Sequence, residues 1–366
     1  MRFAAVLSLA IAACSPASPT ASHPSLTPTG AAPVTRTEVP TPSPERSYAV
    51  VVKDFLEGGA TYSVSLVATD GHVAAMATPR KRSRFVQIGN VSTSLTTLYY
   101  LDGDSAIHYL RPDGSTGLVT TLTLAVNQVA AFAVSPDDRR IAVSILDFTR
   151  YPVSTRLYVE DVTGHTNHLE LFASSTVEEW PVGWHGDRLV MALGLNVPPQ
   201  NLYEGFMRGR GYHVADAQTG ARLLSLCSGG DGGGPESPAG FVCLRYPNAS
   251  VISWEGTSWP APKDGSCAMW GPLSPTGLMA NRITTTPSGG CRGNAALFLI
   301  DRNGTAYPQP NLPREAAPLG WIDARHLLLS ADSAPNQLSV VDTVTGDVAT
   351  INGASGFFAA ALPGGL

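Results

Sequence analysis

The stretch "AFAVSPDDRRIAVSI", residues 131–145, sets two short apolar runs on either side of a tight polar turn. It carries nothing suited to chemistry and reads as a hairpin whose two strands are both destined for the interior. The same design returns in "VGWHGDRLVMAL" (182–193), "MWGPLSPTGLMANRI" (269–283) and "LGWIDARHLLLSA" (319–331). Each is an inner strand, a turn with Asp, Gly or Pro, and a second apolar strand.

Between these lies a second kind of hairpin with period-2 alternation: "YSVSLVATDGHVAAMA" (62–77), "AIHYLRPDGSTGLVTTL" (106–122), "RLYVEDVTGHTNHLEL" (156–171), "GYHVADAQTGARLLSL" (211–226), "LFLIDRNGTAYPQ" (297–309) and "QLSVVDTVTGDVATI" (337–351). "SVISWEGTSW" (250–259) is a weaker copy. Their turns hold Gly71, Gly114, Gly164, Gly220, Gly256, Gly304 and Gly346, because a tight hairpin turn needs a residue that takes φ > 0 cheaply. Successive turn glycines lie between 36 (Gly220 to Gly256) and 56 (Gly164 to Gly220) residues apart. A repeat near this length with several strands per unit signals an all-β propeller of four-stranded blades. Seven blades are expected, with six or eight as neighbouring counts, and residues 131–145 form the inner half of blade 3. A pair of β-sandwiches would also use short alternating strands, but would not need the repeated glycine spacing. "SYAVVVK" (47–53) reads as an outer-type strand and "GFFAAAL" (356–362) as an inner one, so the two ends are expected to close one blade.

The element from Ser135 to Ser144 resembles the repeat of TolB-type, WD-repeat-like bacterial propellers, and Ser274-Pro275-Thr276-Gly277 is a degenerate copy. As architecture the resemblance covers residues 47–366. It implies a propeller and a binding habit, and supplies no catalytic residues. The Trp-Asp pair of eukaryotic WD repeats is absent.

Charged residues make up 14% of the 366-residue chain and the formal net charge is -5, so no basic field exists to hold nucleic acid. Lysine occurs at Lys53, Lys81 and Lys263 alone, which resembles a high-GC bacterial coding bias. Residues 1–13 carry one basic residue, Arg2, and an apolar run from Phe3 to Ala13 that is too short to span a bilayer but fits a secretory signal. Ile11-Ala12-Ala13-Cys14 resembles the bacterial lipobox, which implies cleavage before Cys14 and its lipidation; an ordinary signal peptide is the alternative. The Pro, Ser and Thr of residues 15–46 cannot bury a core and are expected to form a disordered tether behind the lipidated Cys14, with the propeller occupying 47–366. The expected location is the outer side of a bacterial cell membrane. Four further cysteines suggest two disulfides in an exported chain, with Cys227–Cys243 and Cys267–Cys291 favoured as local pairs.

No catalytic motif stands in a supporting context, and no cofactor or metal is implied. His165 and His168 could offer two ligands but follow a glycine turn, and Asp102-Gly103-Asp104-Ser105 lacks the length and terminal Glu of a calcium loop. "GGDGGGPESP" (229–238) reads as a flexible loop closed by Cys227 and Cys243. The basic cluster Arg80-Lys81-Arg82-Ser83-Arg84 could meet anionic head groups or wall polymers, or serve as a solvated link between blades.

Long segments fall where blade links and middle-strand loops open on one face of a propeller: 146–155, 194–210, 229–238 and 284–294. The first carries Phe148, Arg150 and Tyr151, and the second carries Tyr203, Phe206, Arg208 and Arg210, a composition enriched at recognition sites. A lipid-anchored module that binds a protein, peptide or wall glycan is the first functional expectation. An exported hydrolase or lyase drawing on Asp147, Glu204 and His185 is the alternative.

Overall fold

The structure is a computed structural model that describes residues 46–53, 59–84, 88–194, 211–228, 231–245, 248–261, 268–269, 271–284, 295–309, 316–331 and 334–366. Its described residues fold into seven four-stranded antiparallel sheets, the blades of a β-propeller. Strands β1 (Tyr48–Lys53), β2 (Ser63–Ala68) and β3 (Val73–Ala77) join the last strand, β28 (Phe357–Leu362), in blade 1. Blade 2 holds β4 (Val91–Thr93), β5 (Leu98–Asp102), β6 (Ala106–Leu110) and β7 (Thr116–Thr121). Blade 3 holds β8 (Gln128–Val134), β9 (Arg140–Asp147), β10 (Ser154–Asp161) and β11 (Leu169–Ser174). Blade 4 follows with β12 (Glu179–His185), β13 (Arg188–Leu193), β14 (Tyr212–Asp216) and β15 (Arg222–Leu226). Blade 5 is β16 (Asp231–Ser237), β17 (Gly240–Arg245), β18 (Asn248–Ile252) and β19 (Ser258–Pro260). Blade 6 is β20 (Ala268–Met269), β21 (Met279–Thr284), β22 (Ala295–Ile300) and β23 (Ala306–Pro308). Blade 7 is β24 (Ala316–Trp321), β25 (His326–Ala331), β26 (Ala334–Asp342) and β27 (Val348–Thr350).

The seven expected glycine turns all join the third strand of a blade to the fourth, and their φ values run from 69° at Gly220 to 86° at Gly256. A residue with a Cβ is strained there, which is why glycine marks the repeat. The ends of the chain do share blade 1. Tyr48 faces Leu362 and Val52 faces Phe357 across antiparallel β1 and β28. β1 is the second strand of that blade, not an outer one, because β28 takes the innermost place and β2 and β3 lie outside it. Residues 231–237 also depart from expectation. They form β16, the innermost strand of blade 5, paired with β17, where pairing within the sheet overrides the low strand propensity of glycine.

Packing explains the opening stretch. Ala130, Phe132 and Val134 meet Tyr99, Leu101 and Ile107 of blade 2, while Ala133 and Ala142 meet Trp184, Leu189 and Met191 of blade 4. Because both faces of β8 and β9 are covered by neighbouring blades, their sequences are almost continuously apolar. The outermost strands β7, β11 and β15 are largely exposed or half-buried, and β7 alternates between the two. The polar turn joins blades. Ser135 Oγ donates to Asp137 Oδ1 at 2.6 Å and accepts from Arg140 N at 2.9 Å. Asp138 reaches back to accept from Tyr99 Oη at 2.7 Å and Thr96 Oγ1 at 3.1 Å, in blade 2. Arg140 lies 4.7 Å over the Trp184 ring of blade 4.

Past β28, residues 363–366 cross the ring on the face formed by the first-to-second strand turns, here the lower face. Gly364 N donates to Ser94 O of blade 2 at 2.6 Å, and Leu366 N donates to Trp184 O of blade 4 at 2.8 Å. Residues Pro363 to Leu366 line the central cavity there together with the inner strands.

Candidate functional site

The blade links and the loops between second and third strands open on the opposite, upper face. Phe148, Arg150 and Tyr151 stand there in the loop from β9 to β10. Phe148 is half-buried against a small cluster of Ile88, Ala131, Leu146 and Val153. Its ring meets Tyr151 edge-on at 6.5 Å and carries the Arg84 guanidinium at 4.7 Å. Arg150 and Tyr151 are exposed. Partial burial pushes the Tyr151 hydroxyl up, helped by the Glu178 charge and opposed by Arg84. The structure therefore gathers an Arg, two aromatics and a second Arg on one patch, with Phe148 as its packed foot.

Tyr203, Phe206, Arg208, Arg210 and Glu204 lie outside the described residues. The strands that bracket them, β13 and β14, end and begin on the upper face of the neighbouring blade, with Leu193 N donating to Gly211 O at 3.0 Å. Cys14, Cys267 and Cys291 also lie outside the described residues. Cys227 and Cys243 form a disulfide with a Cα separation of 5.6 Å. It does more than close a local loop: it fastens the end of blade 4 to the second strand of blade 5 across the glycine-rich β16.

The basic cluster is taken apart by the fold. Arg80 pairs with Asp102 at 3.0 Å. Arg82 is buried and donates to the carbonyls of Ile88 (3.1 Å), Gly89 (3.3 Å) and Ala130 (2.8 Å), and burial pulls its guanidinium down to about 10. Asp104 accepts from Ser83 N at 2.8 Å, so residues 102–105 are a bonded turn. His168 has both ring nitrogens engaged, by Glu160 at 2.9 Å and Glu170 at 3.0 Å, and these bonds raise its pKa; His165 is exposed at φ 64°.

Among the described residues, Asp147 and His185 of the catalytic alternative do not converge. Asp147 sits at the upper end of β9, held by Thr149 N at 2.9 Å and Gln128 Nε2 at 3.3 Å, and the Thr149 bonds keep its carboxyl below the usual range. His185 ends β12 on the lower face, donating to Leu366 O at 2.5 Å and meeting Glu255 Oε1 at 2.6 Å. A strand advances about 3.3 Å per residue, so the length of a blade separates them.

A buried pair that no local sequence pattern marks stands at the upper end of blade 4. Glu179 Oε2 lies 3.7 Å from His213 Nε2 and 3.6 Å from the Arg222 guanidinium. Burial pushes Glu179 up to about 7 and His213 down to about 4. At neutral pH the imidazole is uncharged, and the shared environment favours a proton on the carboxyl.

No protein-family model and no curated protein matches the chain. Solved structures do match. The apo form of AztD from Citrobacter koseri is 13% identical over 85% of this chain and 83% of that one, with a TM-score of 0.42. An oligogalacturonate lyase in complex with manganese is 9% identical over 78% of this chain and 69% of that one, at 0.33. For dipeptidyl peptidase 4 of Porphyromonas gingivalis the values are 12%, 81% and 49%, at 0.48, so this chain spans about half of that protein.

Proposed function

We propose that the protein is a binding or scaffold module of the TolB-type, WD-repeat-like kind, held outside a bacterial membrane by lipid on Cys14. Residues 14–46 would act as its tether and the upper face of the propeller would hold a protein, peptide or wall-glycan partner. One observation carries the reading: Arg150 and Tyr151 are exposed beside the stacked Arg84 and Phe148, on the face where every blade link opens. Exposed Arg and Tyr on a rigid scaffold are the side chains that most often carry recognition energy. The Ser135–Ser144 element supports the TolB-type kinship, and the short apolar run before Cys14 supports the lipid anchor. Replacing Arg150 or Tyr151 by Ala and measuring partner capture from solubilised membranes tests the proposal. Retained fold with weakened capture supports it.

A further inference from the structure

Beside the aromatic patch, the upper face carries a groove of about 570 Å³ between blades 2 and 3. Three segments build it: the link from β3 to β4 with Ser83 and Arg84, the β5–β6 turn with Asp104, and the link from β7 to β8 with Leu124 to Asn127. Asp104 and Asn127 are both exposed in it and their side chains are incompletely used. Asp104 accepts both bonds from Ser83, from N at 2.8 Å and from Oγ at 3.0 Å, through Oδ1. Its Oδ2 has no partner among the described residues. Asn127 is locked at φ 66° and accepts from Phe148 N at 3.0 Å through its main-chain oxygen, while its side-chain amide has no partner among the described residues. The Arg84 guanidinium is spread over Phe148 at 4.7 Å and has no carboxylate partner among the described residues. Val126, 86% exposed, and Leu124 supply an apolar lip.

These features point to one chemistry. A carboxylate, an amide and a guanidinium are planar groups with paired donors or acceptors, which match adjacent hydroxyls. Small aliphatic side chains beside them suit the C–H faces of a sugar ring. One cation and one carboxylate cancel, so the groove has no excess charge to attract a phosphate or an anionic polymer. An extended peptide would seek an open strand edge, but the groove offers its bonds from side chains, and the sheet edges face the channel and the outer wall. We propose that this groove binds a neutral saccharide, with Asp104 and Asn127 reading its hydroxyls; this rests on the binding-module reading and names a ligand class for it.

The test titrates the full chain with tetrasaccharides of glucose and of N-acetylglucosamine, followed by calorimetry. Saturable binding of at least one is expected. Asn127→Gly keeps the left-handed backbone and removes the amide, so it should weaken that binding about fivefold or more at an unchanged melting temperature. Asp104→Ala should weaken it at least as much. Binding of neither tetrasaccharide, or equal binding by wild type and Asn127→Gly, overturns the inference. If saccharide binding fails while Arg150→Ala still loses its membrane partner, the binding-module reading stands and only this assignment falls.

Discussion

Leu366 N donates to Trp184 O at 2.8 Å, which ties the segment that follows blade 1 to the inner strand of blade 4 on the far side of the ring. The Leu366 side chain packs with the cluster around Trp254 and Phe241. A Cβ on Gly183 would come within 2.6 Å of it, so this contact has been given room by a glycine. Gly320 plays the same part in blade 7, where a Cβ would meet Phe358 at 2.1 Å. Removing residues 363–366 should cost about 2 to 3 kcal/mol, the sum of lost bonds and apolar burial. Removing 355–366 takes all of β28 as well and should prevent cooperative folding. Equal melting temperatures for the two truncations would show that blade 1 does not depend on its innermost strand.

The Glu179–His213 pair predicts opposite pH slopes in two variants. The Glu179 carboxyl is raised in the folded state, so its contribution is full below about 4.5 and is lost as pH rises through 7. His213 is depressed, so its contribution is full above about 6.5 and is lost as pH falls through 4. In the wild type the two nearly cancel, because folding moves a proton from imidazole to carboxyl without net uptake. Glu179→Gln should therefore become more stable from pH 4 to 6.5, and His213→Asn less stable from 4.5 to 7, each by roughly 1 to 3 kcal/mol. Denaturant midpoints across that range measure it; parallel slopes would refute the assignment.

Cys227 and Cys243, separated by 16 residues, staple blade 4 to blade 5. Replacing both with Ala should cost about 3 kcal/mol by freeing the unfolded chain. Local loosening should appear at β16, the strand that lies between the two cysteines in the sequence. Hydrogen exchange that rises uniformly over all blades would contradict this placement.

Cys14→Ala should release the protein from the membrane fraction or leave it as an unprocessed precursor, since the run from Phe3 to Ala13 is too short to anchor it. Processed, membrane-bound Cys14→Ala would dismiss the lipid anchor.

Much of the fold was legible in the sequence. The seven turn glycines are visible because their backbone conformation disfavours residues with a Cβ, and the inner hairpins of blades 3, 4 and 7 because their second strands are largely apolar, while that of blade 6 shows through its Ser274-Pro275-Thr276-Gly277 turn. Blade 2 hid its first strand, since Val91–Thr93 is short and mostly hydroxylated. Blade 5 hid β16, since glycine and proline there signal a loop locally and are overruled by neighbours. At the site, Phe148, Arg150 and Tyr151 could be found because aromatics and arginines are unusual in a loop. Arg84 could not be joined to Phe148, nor Glu179 to His213 and Arg222. The first contact spans separate blades and forms only when they pack side by side, and the second joins three strands of blade 4 that are far apart in the sequence and meet only in the assembled sheet.

The proposed function requires that the upper face at blade 3 recognise a partner. The most direct measurement compares partner capture from solubilised membranes by wild type, Arg150→Ala and Tyr151→Ala, with melting temperatures recorded in parallel. Each substitution should weaken capture by about 1 to 2 kcal/mol, roughly five- to thirtyfold, at a nearly unchanged melting temperature. Undiminished capture by both variants, or a loss of capture that merely follows a loss of fold, would contradict it.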